Sequence, residues 1–99
     1  MNSLLSPHFQ SEGYIAKVHA LCRKYNVLFV ADEVQTGCGR TGKLLACDYD
    51  NVKPDILVVA KAISGGVVPA SAVLASDEIM LTIQPGQHGM HCFFLLFVH

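Results

Sequence analysis

The stretch DILVVAKAISGG, Asp55 to Gly66, decides the fold that the sequence predicts. Its apolar run from Ile56 to Ala60 is typical of a strand buried on both faces of a parallel sheet. The run ends in a single lysine, Lys61, before Gly65–Gly66 breaks the pattern. A lysine beside apolar surface loses part of its hydration, which favours the neutral amine that attacks carbonyl groups. The alternative is a lysine that extends into solvent at the strand exit, as most lysines do.

A second buried strand is predicted over Val27–Val34, VLFVADEV, in which four apolar residues lead towards Asp32 and Glu33. The separation between Asp32 and Lys61 is about the length of one crossover between parallel strands. Ligands of open α/β sheets bind outside the carboxyl ends of the strands, so both charges are expected at one ligand-binding edge. Glu33 is expected to point to the opposite face from its neighbour.

These two motifs, extended to VLFVADEVQTGCGRTG (residues 27–42) and PDILVVAKAISGG (residues 54–66), follow one another as in the class III pyridoxal-phosphate-dependent aminotransferases. The sequence resembles that family from Gly13 to Gly89, and residues 67–89 resemble its ornithine-specific members. Transaminases for acetylornithine or 4-aminobutyrate stay open as alternatives. The resemblance implies an α/β fold, part of the large domain of the fold-type I transferases, with a mostly parallel sheet and flanking helices. Because members of the family are several times longer, the chain is expected to be an internal piece.

The resemblance also implies the roles of three residues. Lys61 would form a Schiff base with pyridoxal 5′-phosphate and carry a proton between the substrate carbon and the cofactor. Asp32 would pair with the pyridinium nitrogen, which keeps the ring able to withdraw electrons. Gln35 would hydrogen-bond the phenolic oxygen of the cofactor. The implied reaction transfers the δ-amino group of ornithine to a 2-oxo acid such as 2-oxoglutarate, in a homodimeric parent enzyme.

The chain departs from the family in ways that predict an inactive or nearly inactive fragment. The phosphate-binding segment and the ring-stacking aromatic lie upstream in the family. A threonine that reaches the cofactor of the partner subunit is replaced in the stretch Met90–Phe94. Catalysis depends on positioning, which these losses weaken. A non-catalytic remnant that binds a full-length subunit is therefore a second hypothesis.

The glycine-rich loop raises a third hypothesis, a nucleotide-binding domain. Gly37–Gly42 matches GxGxxG and Gly37–Lys43 matches GxxxxGK. Leu44 stands where a phosphate-binding loop needs a hydroxyl, and Asp55 opens the next strand instead of closing it. We therefore expect a tight turn with positive φ at its glycines.

The remaining elements are predicted from local patterns. An amphipathic helix follows Gly13, with a core-facing stripe that includes Tyr14 and Tyr25, and Asn26 is expected to end it. A short apolar strand is predicted over Ser71–Ala75. The further expectations are a helix over Asp77–Ile83 capped by Ser76, and turn or capping roles for Asp48, Asp50 and Asp55.

Composition excludes several classes. The net charge of −1, with no basic patch, argues against a nucleic-acid partner, and no stretch is long enough to cross a membrane. Four cysteines without a Cys-x-x-Cys pair predict neither a disulfide framework nor a zinc site. His88, His91 and Cys92 lack an upstream ligand, so no metal is expected.

The predicted organisation is an irregular leader (1–12), the aminotransferase-like segment (13–89) and a divergent apolar tail (90–99). The start, MNSLLSPHFQ, has the features of neither a signal peptide nor a transit peptide. The family resemblance leaves the mitochondrial matrix and the cytoplasm open.

Overall fold

The computed structural model describes residues 12–87. The predicted leader falls almost entirely outside this range, as do the divergent tail and the histidine–cysteine group at residues 88–92. The regular elements are α1 (Tyr14–Lys24), β1 (Val30–Asp32), β2 (Ile56–Ala60), β3 (Ser71–Ala75) and α2 (Asp77–Met80), with 3-10 turns at Ala46–Tyr49 and Lys61–Ser64. Within the described range, no helix has the length and apolar character needed to cross a membrane.

The three strands form one sheet in the order β1-β2-β3. β1 and β2 run parallel, and Asp32 is the register partner of Val58. β2 and β3 run antiparallel, with Ala60 opposite Ser71. The α/β class is confirmed, and β2 and β3 have the predicted bounds. In this part of the chain the sheet is mixed, since one of its two pairings is antiparallel.

β1 is shorter than the predicted strand, and hydrogen bonds at both of its ends explain why. Before it, the Val27 amide donates to the last turn of α1 and the Phe29 carbonyl accepts from residues 55 and 56. After it, the Glu33 amide still donates to the Val58 carbonyl at 2.8 Å, but the Glu33 carbonyl accepts from Gly37 at 2.8 Å. The chain therefore leaves the sheet in a turn, and only Val30–Asp32 remain strand.

The prediction that β1 and β2 are buried on both faces is wrong for the described residues. Ala31 and Val59 are 7% and 4% exposed, which marks one covered face. Val30 and Val73, on the other face, are 52% and 45% exposed. A continuous apolar run therefore predicted the strand correctly, but it did not predict a second covering layer.

The C-terminal end of α1 forms as predicted. Asn26 has φ 53°, in the left-handed region that asparagine tolerates. Its amide donates to the Arg23 carbonyl at 3.3 Å, and the Val27 amide donates to the Cys22 carbonyl at 2.9 Å. These two bonds define a Schellman motif, which satisfies carbonyls of the last turn.

None of the residues of α1 is buried, and polar contacts at both of its ends join it to the rest of the chain. Asp50 Oδ2 accepts from the Ala16 amide at 3.1 Å, so a residue distant in sequence caps the first turn. Arg23 Nη2 lies 2.8 Å from Asp55 Oδ1 at the other end. Tyr14 and Tyr25 are 46% and 64% exposed, so the prediction that both pack into a core is wrong.

α2 ends at Met80, three residues before the predicted end. The Thr82 and Ile83 amides donate to carbonyls three residues back, which tightens the chain out of the α-helical repeat. Ser76 begins the helix through its carbonyl, which accepts from the Met80 amide at 2.9 Å, and its side chain makes no capping bond.

Candidate functional site

Lys61 follows β2 directly and has an unusual backbone conformation. Its φ is 52°, in the left-handed region that a side chain with a Cβ rarely adopts. The backbone stays bonded to the turn after it, because Ser64 Oγ donates to the Lys61 carbonyl at 3.4 Å and accepts from the Gly66 amide at 3.3 Å. The lysine is exposed, so of the two expectations the described residues support the side chain that extends into solvent at the strand exit and not the one held beside apolar surface.

Asp32 closes β1 at the same edge of the sheet. Its register partner on β2 is Val58, and Lys61 comes three residues after Val58, about 10 Å further along the strand. Asp32 Oδ1 accepts from the Val34 amide at 3.1 Å, while the described residues provide Oδ2 with no hydrogen bond. The exposed carboxylate therefore has an oxygen free to accept a proton donor from a ligand.

Gln35 lies in the turn that follows β1 and is exposed. This turn spans Glu33 to Gly37 and is closed by the hydrogen bond between their backbone groups. The three residues with predicted roles, Asp32, Gln35 and Lys61, thus follow the carboxyl ends of two neighbouring parallel strands. The Lys61 amine is the group that can bind an aldehyde carbon. The Asp32 carboxylate can pair with a protonated ring nitrogen, and the Gln35 amide can donate to a phenolate oxygen.

Glu33 is the residue that the sequence did not single out. It is 3% exposed, and its Oε1 accepts from the Cys47 amide at 2.9 Å. Its Oε2 accepts a hydrogen bond from the Thr36 hydroxyl. Burial alone would raise the pKa of the Glu33 carboxyl, but hydrogen bonds from Thr36 and from the backbone of Cys47 and Ala46 outweigh it, so this pKa lies below its usual value. The strand alternation correctly predicted that Glu33 points to the opposite face from Asp32. It did not predict the hydrogen-bond donors of Glu33, which come from Thr36 and Cys47.

The glycine loop is a series of turns followed by the 3-10 turn Ala46–Tyr49, with no α-helix before β2, which removes the structural context of both nucleotide-binding motifs. Gly39 and Gly42 have the expected positive φ, at 89° and 98°. Gly37 does not, and it is glycine for a different reason. A Cβ there would lie 2.8 Å from the Glu33 carbonyl oxygen, so only a residue without a side chain fits.

The Cys47 thiol is buried beside this carboxylate. Burial, followed by the hydrogen bond and charge of Glu33, raises the pKa of Cys47 to about 11. Such a thiol is unreactive at neutral pH, because the thiolate is the nucleophile and the metal ligand. Cys22 and Cys38 are also free thiols. The described range holds no group of three or more side chains able to bind a metal ion.

A groove of about 310 Å³ lies between α1 and β1. Its lining includes the polar residues Asp32, Glu33 and Thr36 and the largely apolar Tyr14, Val18 and Phe29. Lys61 does not line it, so the groove is not where the amine and the carboxylate would meet a shared ligand.

Comparison with known proteins places the chain in a family. The model of the family Aminotransferase class-III matches residues 7–92. The mitochondrial ornithine aminotransferase of Drosophila melanogaster is 65% identical over 79 residues, which cover 80% of this chain and 18% of the relative.

Two solved structures give the same result. The ornithine aminotransferase of Toxoplasma gondii superposes with a TM-score of 0.78 at 51% identity, covering 81% of this chain and 19% of that one. The acetylornithine aminotransferase of Elizabethkingia anophelis superposes equally well, with a TM-score of 0.78 at 59% identity, covering 81% of this chain and 20% of that one.

The fold is therefore that of a part of an aminotransferase, an α/β segment with a mixed sheet. The chain belongs to the class III aminotransferases. It spans about a fifth of the length of the relatives that it matches.

Proposed function

We propose that this chain carries the lysine segment of an ornithine aminotransferase, with Lys61 as the residue that binds pyridoxal 5′-phosphate. The observation that supports it best is the placement of a lysine with a left-handed backbone just beyond β2, at the sheet edge where Asp32 ends the parallel neighbour β1. A strained backbone conformation at the carboxyl ends of parallel strands is a feature of functional sites.

Each residue has a defined part in this proposal. The Lys61 Nζ would hold the aldehyde carbon of the cofactor and, once displaced by substrate, would take a proton from the substrate δ-carbon and deliver it to the cofactor. The Asp32 carboxylate holds a proton on the ring nitrogen, and Gln35 donates a hydrogen bond to the phenolic oxygen. The cofactor, when bound, supplies an electron sink for the carbon that loses its proton.

Ornithine as the amino donor and a 2-oxo acid such as 2-oxoglutarate as the acceptor are proposed from the relatives. Ornithine aminotransferases of an insect, plants, a fission yeast and Plasmodium match this chain at 55–65% identity. A homodimeric parent enzyme in the mitochondrial matrix or the cytoplasm belongs to the same proposal; several of these relatives carry the word mitochondrial in their names. An acetylornithine-specific enzyme is the second candidate, because that Elizabethkingia structure matches as well as the ornithine-specific ones.

We expect the 99-residue chain to bind the cofactor without turning over ornithine. Asp32, Gln35 and Lys61 are all exposed, and transamination depends on groups held in a water-excluded site.

The test is to mix the chain with pyridoxal phosphate, reduce with borohydride and map the modified lysines by mass spectrometry. Label concentrated on Lys61, and lost from it in Asp32→Ala, is the expected result. Lys17, Lys24, Lys43 and Lys53 are internal controls for ordinary amine reactivity. Equal label on all five lysines would overturn the proposed site.

The same labelling tests the substrate. Protection of Lys61 by ornithine but not by acetylornithine would favour the ornithine-specific candidate. Protection by acetylornithine but not by ornithine would favour the acetylornithine-specific candidate.

A further inference from the structure

The carboxylate of Glu33 is the centre of a buried cluster that the proposed chemistry does not use. Glu33 is 3% exposed, and no other charged side chain is buried among the described residues. A buried carboxylate is tolerated only when hydrogen bonds replace its water. Its two oxygens receive them from the Thr36 hydroxyl and the Cys47 amide. Both donors come from the loop that β1 leads into, so this one side chain joins the start of that loop to its end.

Backbone contacts at the same residue strengthen the connection. The Glu33 amide donates to the Val58 carbonyl on β2, and its carbonyl accepts from the Gly37 amide, both at 2.8 Å. Gly37 lies so close to Glu33 that a Cβ would not fit between them. Four hydrogen bonds of Glu33 therefore define how the chain turns at the end of β1. Their partners are Thr36, Gly37, Cys47 and Val58.

The residues with proposed cofactor contacts are interleaved with this cluster. Asp32 ends β1 and Glu33 follows it directly, and the alternation of exposed and buried residues along the strand continues through Glu33, so fixing the inward carboxylate also fixes the outward one. Gln35 precedes Thr36 inside the turn that the Gly37 amide closes. The buried Glu33 and the half-buried Thr36 thus each directly follow an exposed residue with a proposed cofactor contact.

We propose that Glu33 is a positioning residue that, through Thr36, holds Asp32 and Gln35 in place for the cofactor bound at Lys61. Glu33 and Thr36 do not touch the cofactor themselves. This inference rests on the proposed function, because it concerns the same site. The pKa of Glu33 lies below its usual value, so the carboxylate stays an acceptor for both donors at neutral pH.

The experiment measures, at Lys61 and at Lys43 in the same sample, the pyridoxal phosphate concentration that gives half-maximal labelling after reduction. Thr36→Val keeps the shape of the side chain and removes the hydroxyl that donates to Glu33. We expect it to raise the half-maximal concentration at Lys61 about tenfold, the effect of one lost hydrogen bond to a charged group. Thr36→Ser restores the donor and is expected to restore labelling at Lys61. Lys43, which is exposed, donates to the Asp48 carbonyl and lies over the Tyr49 ring, and it is expected to label equally in all variants.

Glu33→Gln is the second variant, since an amide keeps one acceptor but not two. Leu74→Ala, on β3 and outside the cluster, is the control for lowered stability. A purely structural role predicts that all destabilised variants lose Lys61 selectivity together. A positioning role predicts that Leu74→Ala, at matched stability, keeps it.

The outcomes separate this inference from the proposed function. Selective labelling of Lys61 in the unaltered chain, unchanged in Thr36→Val and Glu33→Gln, would overturn the positioning role and leave the function standing. Unselective labelling in the unaltered chain would overturn both. If Glu33→Gln fails to fold, the comparison of Thr36→Val with Thr36→Ser still decides between them.

Discussion

Lys61 combines a strained backbone with a side chain that makes no hydrogen bond or ion pair with the described residues. Of the residues with positive φ that are not glycine, two are asparagines, which tolerate this region. A lysine there has no such tolerance, because its Cβ approaches the following carbonyl. Strain that stability does not explain is consistent with a residue kept for its chemistry.

Lys61→Gly is expected to raise the free energy of unfolding by about 1 kcal/mol, because glycine removes the left-handed penalty. Lys61→Ala keeps the Cβ and is expected to change it by less than about 0.5 kcal/mol. Lys53→Gly is the control, since Lys53 is exposed and has no positive φ, and it is expected to lower stability. Urea unfolding followed by circular dichroism gives all three values. A Lys61→Gly variant less stable than Lys61→Ala would show that the backbone is not strained.

The helix α1 depends on two aspartates from the segment between the glycine loop and β2. Asp50 caps its first turn, and Asp55 joins its last turn to the start of β1. Asp55 Oδ2 accepts from the Phe29 amide at 2.8 Å while Oδ1 meets Arg23. The Phe29 amide, and then the charge and hydrogen bond of Arg23, hold the pKa of Asp55 below its usual value against its partial desolvation. One carboxylate therefore aligns the helix with the strand that ends in Asp32.

This pKa shift predicts how stability depends on pH. A carboxyl whose pKa is lower in the folded than in the unfolded chain binds fewer protons when folded. The contribution of Asp55 is therefore complete above the unfolded pKa, about 4, and is lost as the pH falls through the lower folded value. We expect Asp55→Asn to destabilise the chain at pH 7, with a difference from the unaltered protein that shrinks below about pH 4.

The matched control is Glu12→Gln, which neutralises an exposed carboxylate. Urea midpoints at pH 7, 5 and 3 measure both variants. A difference for Asp55→Asn that stays constant from pH 7 to pH 3 would mean that the ionised carboxylate does not contribute.

At the scale of the whole chain, local patterns predicted the elements and long-range contacts determined the rest. The Asn26 helix end, the run over β2 and the strand Ser71–Ala75 could be predicted because neighbouring residues specify them. The burial of Glu33 depends on the Cys47 amide, which donates to it, and the capping of α1 depends on the Asp50 carboxylate, which accepts from it; both partners are distant in sequence. No periodicity encodes such contacts.

The candidate site divides in the same way. The order of motifs predicted that Asp32 and Lys61 follow neighbouring parallel strands, and the register confirms it. The exposure of Lys61 agrees with the alternative of a lysine that extends into solvent, because an apolar run specifies a strand without specifying what covers it. An apolar run also does not predict that the sheet face of Val30 and Val73 is exposed. The chain is about a fifth as long as its relatives.

The difference between the two sheet faces leads to a prediction for the folded chain. Valine and threonine have nearly the same shape, so Val→Thr replaces a methyl by a hydroxyl and tests only whether the site is dry. Val59 is 4% exposed and Val73 is 45% exposed, on opposite faces of adjacent strands. Val59→Thr is expected to cost about 2 kcal/mol, because a buried hydroxyl lacks a partner. Val73→Thr is expected to stay within about 0.5 kcal/mol.

Urea unfolding of the two variants at several protein concentrations tests whether the open face is free in solution. An equal loss for Val73→Thr would mean that something covers this face, and a concentration-dependent midpoint would identify a second copy as the cover. A small loss that is independent of concentration means that the face stays in water. Packing an apolar strand face against another apolar surface is favourable, because it removes both surfaces from water. In that outcome, the sheet edge that carries Lys61 folds while the apolar face of Val30 and Val73 stays in water.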